Sequence, residues 1–187
     1  MGEIKLFTGG ARSGKSSAAQ AEAKKYGDVA YIATAVATDS EMKERIERHR
    51  VSRPQSWKTL ECPYDIAGAL INTSHEAYLI DCITVYVNNL IFEIKQDWAQ
   101  DELLDAHDIA RIEESVLAKI DALIEAMKAR EAVFIVVSNE VGSGVAPHYS
   151  LGRLFRDLAG MLNQRLARAA KEVYLTVSGI AVKIKGQ

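Results

Sequence analysis

The chain has 187 residues, a length that fits one domain, and 48% apolar with 26% charged residues marks a globular protein rather than a disordered one. Its 23 Lys+Arg against 25 Asp+Glu, net −2, leave no electrostatic footprint for general nucleic-acid binding. The longest apolar run, 132–137, is far short of the roughly 18 residues a membrane helix needs, and Cys62 and Cys82 lack CxxC spacing, which suggests buried thiols in a reducing cytoplasm rather than a zinc site or disulfide framework.

Residues 4–8 read as a short buried strand, entered directly from Met1 with no signal-peptide apolar core. Residues 15–26 read as a helix ending before Gly27. A second strand covers 29–33. Asp39, with Ser40 as the rival, caps a helix running to about Val51. A short strand at 57–61, a short helix at 65–71, a strand at 77–81 and a helix at 83–94 follow. Residues 106–130 form a long amphipathic helix, with Ile109, Ile112, Val116, Ile120, Leu123 and Met127 three or four apart. The clearest buried strand is 132–138. A helix at 150–170 and two closing strands, 173–177 and 181–184, complete the chain.

Strands alternate with helices, which implies an α/β fold: a mostly parallel sheet with helices on both faces, as one domain over 1–187; the match of residues 9–16 to G-x-x-x-x-G-K-[ST] makes it P-loop NTPase-like. The last two strands are joined only by Ser178-Gly179-Ile180, too short for a crossover, so they form a C-terminal antiparallel hairpin. Ligands in such folds bind beyond the carboxyl ends of the strands. The loops of interest are therefore 8–15, 33–39, 81–84 and 138–150.

The first of these holds Gly9-Gly10-Ala11-Arg12-Ser13-Gly14-Lys15-Ser16, a full match to G-x-x-x-x-G-K-[ST] between a strand and a helix. Glycines there let successive N–H groups turn inward into an anion nest, and the helix N-terminus adds its dipole. Lys15 reaches the outer phosphates, and the Ser16 hydroxyl can ligate Mg²⁺. Asp81, at the end of Tyr78-Leu79-Ile80, is placed as the second Mg²⁺ ligand; the rival role is a cap for the helix that follows. The guanine-reading tetrapeptide Asn-Lys-x-Asp is absent. The nearest approach to a Lys-x-Asp-Gly nucleophile, Lys119-Ile120-Asp121-Ala122, sits mid-helix without the glycine.

A second unusual stretch is Arg45-Ile46-Glu47-Arg48-His49-Arg50-Val51-Ser52-Arg53-Pro54. Met42, Ile46 and His49 share one helical face, and its apolar part should pack on the body of the domain. Arg45, Arg48, Arg50 and Arg53 surround His49 in sequence. A neutral imidazole can attack phosphorus, and arginines would hold a triphosphate and offset developing charge. These residues are equally compatible with a polar helix whose histidine is incidental. Of the other histidines, His75 lies in a polar turn, His107 starts the long helix, and His148 lies in the 138–150 loop. That loop begins Ser138-Asn139-Glu140-Val141-Gly142, and Arg153 and Arg156 share a face of the next helix.

These segments, with Tyr31-Ile32-Ala33-Thr34-Ala35, Arg53-Pro54 with Trp57, Asp81-Cys82-Ile83-Thr84, Asn139-Glu140-Val141-Gly142 and Gly152-Arg153-Leu154-Phe155-Arg156-Asp157 with Gly160 and Asn163-Gln164, occur in order from about residue 4 to 185. As an ordered set they resemble the bifunctional adenosylcobinamide kinase / adenosylcobinamide-phosphate guanylyltransferase family of cobalamin biosynthesis. The resemblance implies a cytoplasmic transferase with two reactions. One phosphorylates adenosylcobinamide with ATP or GTP. The other moves GMP from GTP onto that phosphate through a guanylyl-histidine, which the motif places at His49, and yields adenosylcobinamide-GDP and pyrophosphate. The site set is then His49 and Lys15 for catalysis. The nucleotide contacts are Gly9, Gly10, Ala11, Arg12, Ser13, Gly14, Lys15, Ser16, Thr34, Ala35, Arg45, Arg53, Glu61 and Asp81, and Ser16 and Asp81 hold Mg²⁺. Glu61, Asp81 and Glu140 are candidates for the kinase base. The family resemblance also implies a homotrimer. The chain departs from the family pattern at Ala146-Pro147-His148-Tyr149, Met161 and Lys171. The competing reading is a monofunctional P-loop small-molecule kinase with no covalent step, and His49 discriminates the two.

Overall fold

The computed structural model describes residues 1–51, 53–98 and 103–186; the side chain of Arg45 is outside the described set. The elements in chain order are β1 (Glu3–Gly9), α1 (Lys15–Ala23), β2 (Val29–Ala33), α2 (Ser40–Val51), β3 (Lys58–Glu61), α3 (Ile66–Ile71), β4 (Ala77–Asp81), α4 (Ile83–Ile94), α5 (Ala106–Lys128), β5 (Val133–Asn139), α6 (Ser150–Ala169), β6 (Glu172–Val177) and β7 (Ile180–Lys185). They form a seven-stranded sheet in the order β3-β2-β4-β5-β1-β6-β7. Every pairing is parallel except β6 with β7, the expected C-terminal hairpin. Its turn is tighter than the sequence suggests: Val177 pairs with Ile180, and Ser178 and Gly179, both at positive φ, make the whole connection.

The strand residues alternate between two buried faces, which explains why the strands read as continuous apolar runs. Ile4, Leu6, Ile32, Tyr78, Ile80, Phe134 and Val136 face the larger core, with α3, α4, α5 and α6. Phe7, Val29, Tyr31, Leu79, Ile135 and Val137 face the smaller core, with Ala19 and Ala23 of α1. In α5 the buried stripe is Ile112, Val116, Ile120, Leu123, Ile124 and Met127, and Ile109 at its start is only half-buried. Asp105 begins this helix by accepting from the Asp108 N–H at 2.7 Å. Asp39 does the same for α2, accepting from Met42 N–H at 2.7 Å, so it prevails over Ser40. Helix α1 ends three residues before the expected Tyr26. There Lys25 N–H and Tyr26 N–H bond the carbonyls of Glu22 and Ala23, tightening the last turn. Among the described residues no helix is long and apolar enough to cross a membrane.

The chain changes side of the sheet at β1, with β2 to β5 on one side and β6 and β7 on the other. The carboxyl ends of the central strands are level. Gly9 is opposite Asn139, Asp81 opposite both Val137 and Ala33, and Ala33 opposite Glu61. All four loops of interest therefore open on one edge.

The closing hairpin carries a pH-sensitive contact. Glu172 accepts from Lys183 Nζ and from the Tyr174 hydroxyl, each at 2.8 Å, and Lys5 Nζ lies 3.6 Å away. The hydrogen bonds from Lys183 and Tyr174 hold its carboxyl at about 2, against an ordinary 4.5. A carboxyl depressed in the folded state stabilises above its unfolded value and loses that contribution as pH falls toward its folded value. The melting temperature should therefore fall more between about pH 5 and about pH 3 in the wild type than in Glu172→Gln. Equal falls would remove Glu172 as a source of the acid sensitivity.

Candidate active site

The phosphate loop leaves β1 at Gly9 and enters α1 at Lys15. A Cβ on Gly9 would collide with the Thr176 carbonyl oxygen and with Ser13 Oγ, so only glycine lets the loop pass this close to β6. Gly14 sits at φ 94°, and a Cβ there would lie 3.0 Å from Gly179 Cα. The turn of the β6–β7 hairpin thus packs directly on the loop, and Gly179 N–H donates to the Ser13 carbonyl at 2.8 Å. Arg12 is also at positive φ, 58°, and its side chain is exposed. Lys15 is buried, with Nζ donating to the Gly10 carbonyl at 3.1 Å, so its ammonium lies folded across the loop. Ala11 is exposed at the tip, and Ser13 Oγ is buried with no partner among the described residues.

Asp81 stands at the centre of the edge, and its two oxygens face different elements. Ser16 Oγ donates to Oδ1 at 3.2 Å. On the other oxygen, the Tyr31 hydroxyl donates to Oδ2 at 3.1 Å, and His49 Nδ1 lies 3.8 Å from it. Asp81 does not cap α4: the cap position is Cys82, with no side-chain cap bond. A serine hydroxyl and a carboxylate oxygen 3.2 Å apart at the head of a phosphate loop are hard oxygen donors of the kind Mg²⁺ prefers.

His49 reaches Asp81 from the last turn of α2. Met42, Ile46 and His49 form the inward face of α2, as their spacing implies, but all three are only half-buried, so the stripe rests on the body rather than sinking into it. The arginines do not converge as a group. Arg48 Nε bonds the Glu44 carbonyl, and Arg50 is exposed, 3.9 Å from Glu47. Arg53 alone among the described arginine side chains of this stretch turns to the site. Its Nε donates to the His49 carbonyl at 3.0 Å, and its guanidinium lies 3.8 Å from the centroid of the Tyr31 ring.

The remaining candidates take varied positions. Thr34 is fully buried; its hydroxyl donates to the Cys82 carbonyl at 2.9 Å and accepts from Cys82 N–H at 3.1 Å. It joins the ends of β2 and β4. Ala35 follows on the half-buried loop. Glu61 is exposed at the end of β3, one strand beyond Ala33. Glu140 Oε1 accepts from Gly142 N–H at 2.8 Å. His75 is tied to Asp28 at 2.8 Å, and His107 belongs to a surface group with Asp105 and Asp108. The His148 carbonyl accepts from Arg153 at 2.5 Å.

Two sets of residues lie in the segments quoted from the sequence, but their contacts were not legible there. One is Tyr31, whose hydroxyl and ring both face the site; a tyrosine inside an apolar strand gives no signal of this. The other is the network in which Asn139 Nδ2 donates to Thr84 Oγ1 at 2.6 Å, Ser138 Oγ to Asn163 Oδ1 at 2.5 Å, and Asn163 Nδ2 to the Asn139 carbonyl at 3.1 Å. It ties β5 to α4 and α6 beneath the edge. A cleft of about 530 Å³ is lined by Val36, Thr38, Tyr64, Asn89 and Phe92 among others.

A glycine-rich loop running from a central parallel strand into a helix, with a carboxylate from a second strand on the serine of that loop, defines a P-loop nucleotide-binding α/β protein. The family model described as cobinamide kinase / cobinamide phosphate guanyltransferase (CobU) matches residues 5–184, and the chain belongs to this family. The bifunctional adenosylcobalamin biosynthesis protein CobU of Escherichia coli (strain K12) is 45% identical over 183 residues, covering 96% of this chain and 98% of that protein. The protein of the same name from Salmonella typhimurium is 44% identical with the same coverage. CobP of Pseudomonas aeruginosa is 37% identical over 185 residues, covering 97% of each. Among solved structures, a KaiC-like protein from Pyrococcus horikoshii OT3 superposes with a TM-score of 0.40 at 13% identity, covering 92% of this chain and 70% of that one.

Proposed function

We propose that this chain phosphorylates adenosylcobinamide with ATP or GTP and then transfers GMP from GTP to the product through a guanylyl group held on His49. The observation that carries the reading is the two-sided Asp81. One oxygen meets Ser16 of the phosphate loop, and the other faces His49. A single carboxylate thus links the phosphate nest to a histidine, which a simple kinase does not need.

In the kinase step the acceptor hydroxyl oxygen attacks the γ-phosphorus, the bond to the β–γ bridging oxygen breaks, and the hydroxyl proton passes to a base. Glu61, Asp81 and Glu140 are the carboxylates on this edge. In the second step an imidazole nitrogen of His49 attacks the α-phosphorus of GTP. The nitrogen–phosphorus bond forms as the bond to the bridging oxygen breaks, and pyrophosphate leaves. A phosphate oxygen of adenosylcobinamide phosphate then attacks the same phosphorus, and the nitrogen–phosphorus bond breaks to restore His49. His49 Nδ1 lies 3.8 Å from Asp81 Oδ2, so the imidazole stands beside the carboxylate that meets the phosphate loop. The nest of residues 9–16 with Lys15 binds phosphates, and Thr34, Ala35, Arg45, Arg53 and Glu61 complete the nucleotide-binding set. Ser16 and Asp81 would hold Mg²⁺, which supplies neutralising charge to the phosphate oxygens.

We also take residues 1–187 as one unit, acting in the cytoplasm as a homotrimer. Support for an assembly comes from β7, an edge strand on which Ile180, Val182 and Ile184 are all exposed on one face. Val182→Lys should lower the mass measured by sedimentation from three chains toward one. An unchanged mass would exclude β7 from the interface.

The test of the covalent step is an intact mass after incubation with Mg²⁺ and GTP without corrinoid, kept at alkaline pH because a phosphoramidate is acid-labile. A gain of one GMP that is lost on acidification supports the reading. A folded, nucleotide-binding sample with no adduct would reduce it to the monofunctional kinase.

A further inference from the structure

We propose that Tyr31 is a positioning residue for guanylyl transfer, holding His49 in register with Asp81 through Arg53; this rests on the function proposed above for His49. Four contacts form a closed ring. The Tyr31 hydroxyl donates to Asp81 Oδ2 at 3.1 Å, the Arg53 guanidinium lies 3.8 Å from the Tyr31 ring centroid, Arg53 Nε donates to the His49 carbonyl at 3.0 Å, and His49 Nδ1 returns to Asp81 Oδ2 at 3.8 Å. Arg53 Nη1 is steadied further by Thr59 Oγ1 at 3.3 Å on β3.

The two ends of this ring differ in rigidity. Tyr31 is 3% exposed on β2, next to β4, which carries Asp81. Helix α2 has no fully buried residue among its described side chains, so burial alone does little to fix where its last turn sits. Arg53 connects the two. A planar guanidinium can stack on an aromatic face while its Nε donates sideways in the guanidinium's own plane, a pairing of contacts an ammonium cannot make. A nucleophile must meet phosphorus within a narrow range of distance and angle, and a displacement of about 1 Å costs on the order of 100-fold.

The test is Tyr31→Phe, which keeps the ring under Arg53 and removes only the hydroxyl. The rate of GMP-adduct formation from GTP should fall about tenfold or more, the kinase rate with cobinamide should fall far less, and the melting temperature should hardly move. Arg53→Lys should also lower adduct formation, with no selectivity required of it because Arg53 belongs to the proposed nucleotide-binding set as well. The double variant should lose less than the product of the two single losses, because both act through one chain of contacts. Adduct formation at the wild-type rate in Tyr31→Phe, or equal losses in both half-reactions, would overturn the inference while leaving the role of His49 intact. A wild type that forms no adduct would overturn the underlying reading and this inference with it.

Discussion

His49→Ala should abolish the GMP adduct and lower GMP transfer to adenosylcobinamide phosphate by at least about 1,000-fold, while phosphate transfer to adenosylcobinamide should fall by less than about tenfold. The separation is expected because, in the proposed mechanism, alanine removes the enzyme atom that bonds phosphorus in one reaction and no bond-forming atom in the other. His49 is 37% exposed at the end of α2, so its truncation leaves no sizeable cavity. The fold, Asp81 and the phosphate loop should persist. Assays of both half-reactions on one preparation, with a melting curve as the folding control, check this result. Parallel losses in the two reactions would mean that His49 serves nucleotide binding rather than covalent transfer.

Lys15→Ala should lower both half-reactions by about 100- to 1,000-fold, the range for removing one donor aimed at charge that develops in the transition state. Lys15 is buried, and its Nζ lies over the loop, 3.1 Å from the Gly10 carbonyl. A bound polyphosphate would offer this ammonium negatively charged oxygens, an ion pair rather than a contact with a neutral carbonyl. Loss of both activities is expected because the phosphate loop is the one nest that the sequence motif and the fold provide. If the kinase fails and the adduct still forms at the wild-type rate, the two reactions use separate nucleotide sites. Nucleotide affinity measured alongside the rates separates a binding defect from a chemical one.

The phosphate loop was legible because its chemistry is local. The glycines, Lys15 and Ser16 lie within eight consecutive residues, and a strand and a helix flank them as the motif requires. Asp81 was legible as a carboxylate after an apolar run, but its two choices, metal ligand or helix cap, look alike in sequence. The cap role is excluded by where its oxygens point, to Ser16, Tyr31 and His49. The arginines around His49 show the opposite lesson. Four lie within nine residues, yet helical geometry sends Arg48 and Arg50 away from the site, and Arg53 reaches it only because the chain has left the helix.

By itself the sequence determined which segments become strands and helices, that the sheet is parallel with a closing hairpin, and that a phosphate nest follows β1. Each of these depends on neighbours in the chain: periodic apolar residues, short turns, and glycines at a strand end. The tertiary structure decided the strand order, which places β5 between β1 and β4, and the level of the strand ends, which brings Asp81 to Ser16 across 65 residues. It also decided that Tyr31 faces Asp81 and carries Arg53, and that the hairpin turn at Gly179 packs on the phosphate loop. The reason is physical: strand order and face depend on how buried surfaces stack against one another, and period-two alternation says which residues share a face but not what stands opposite them.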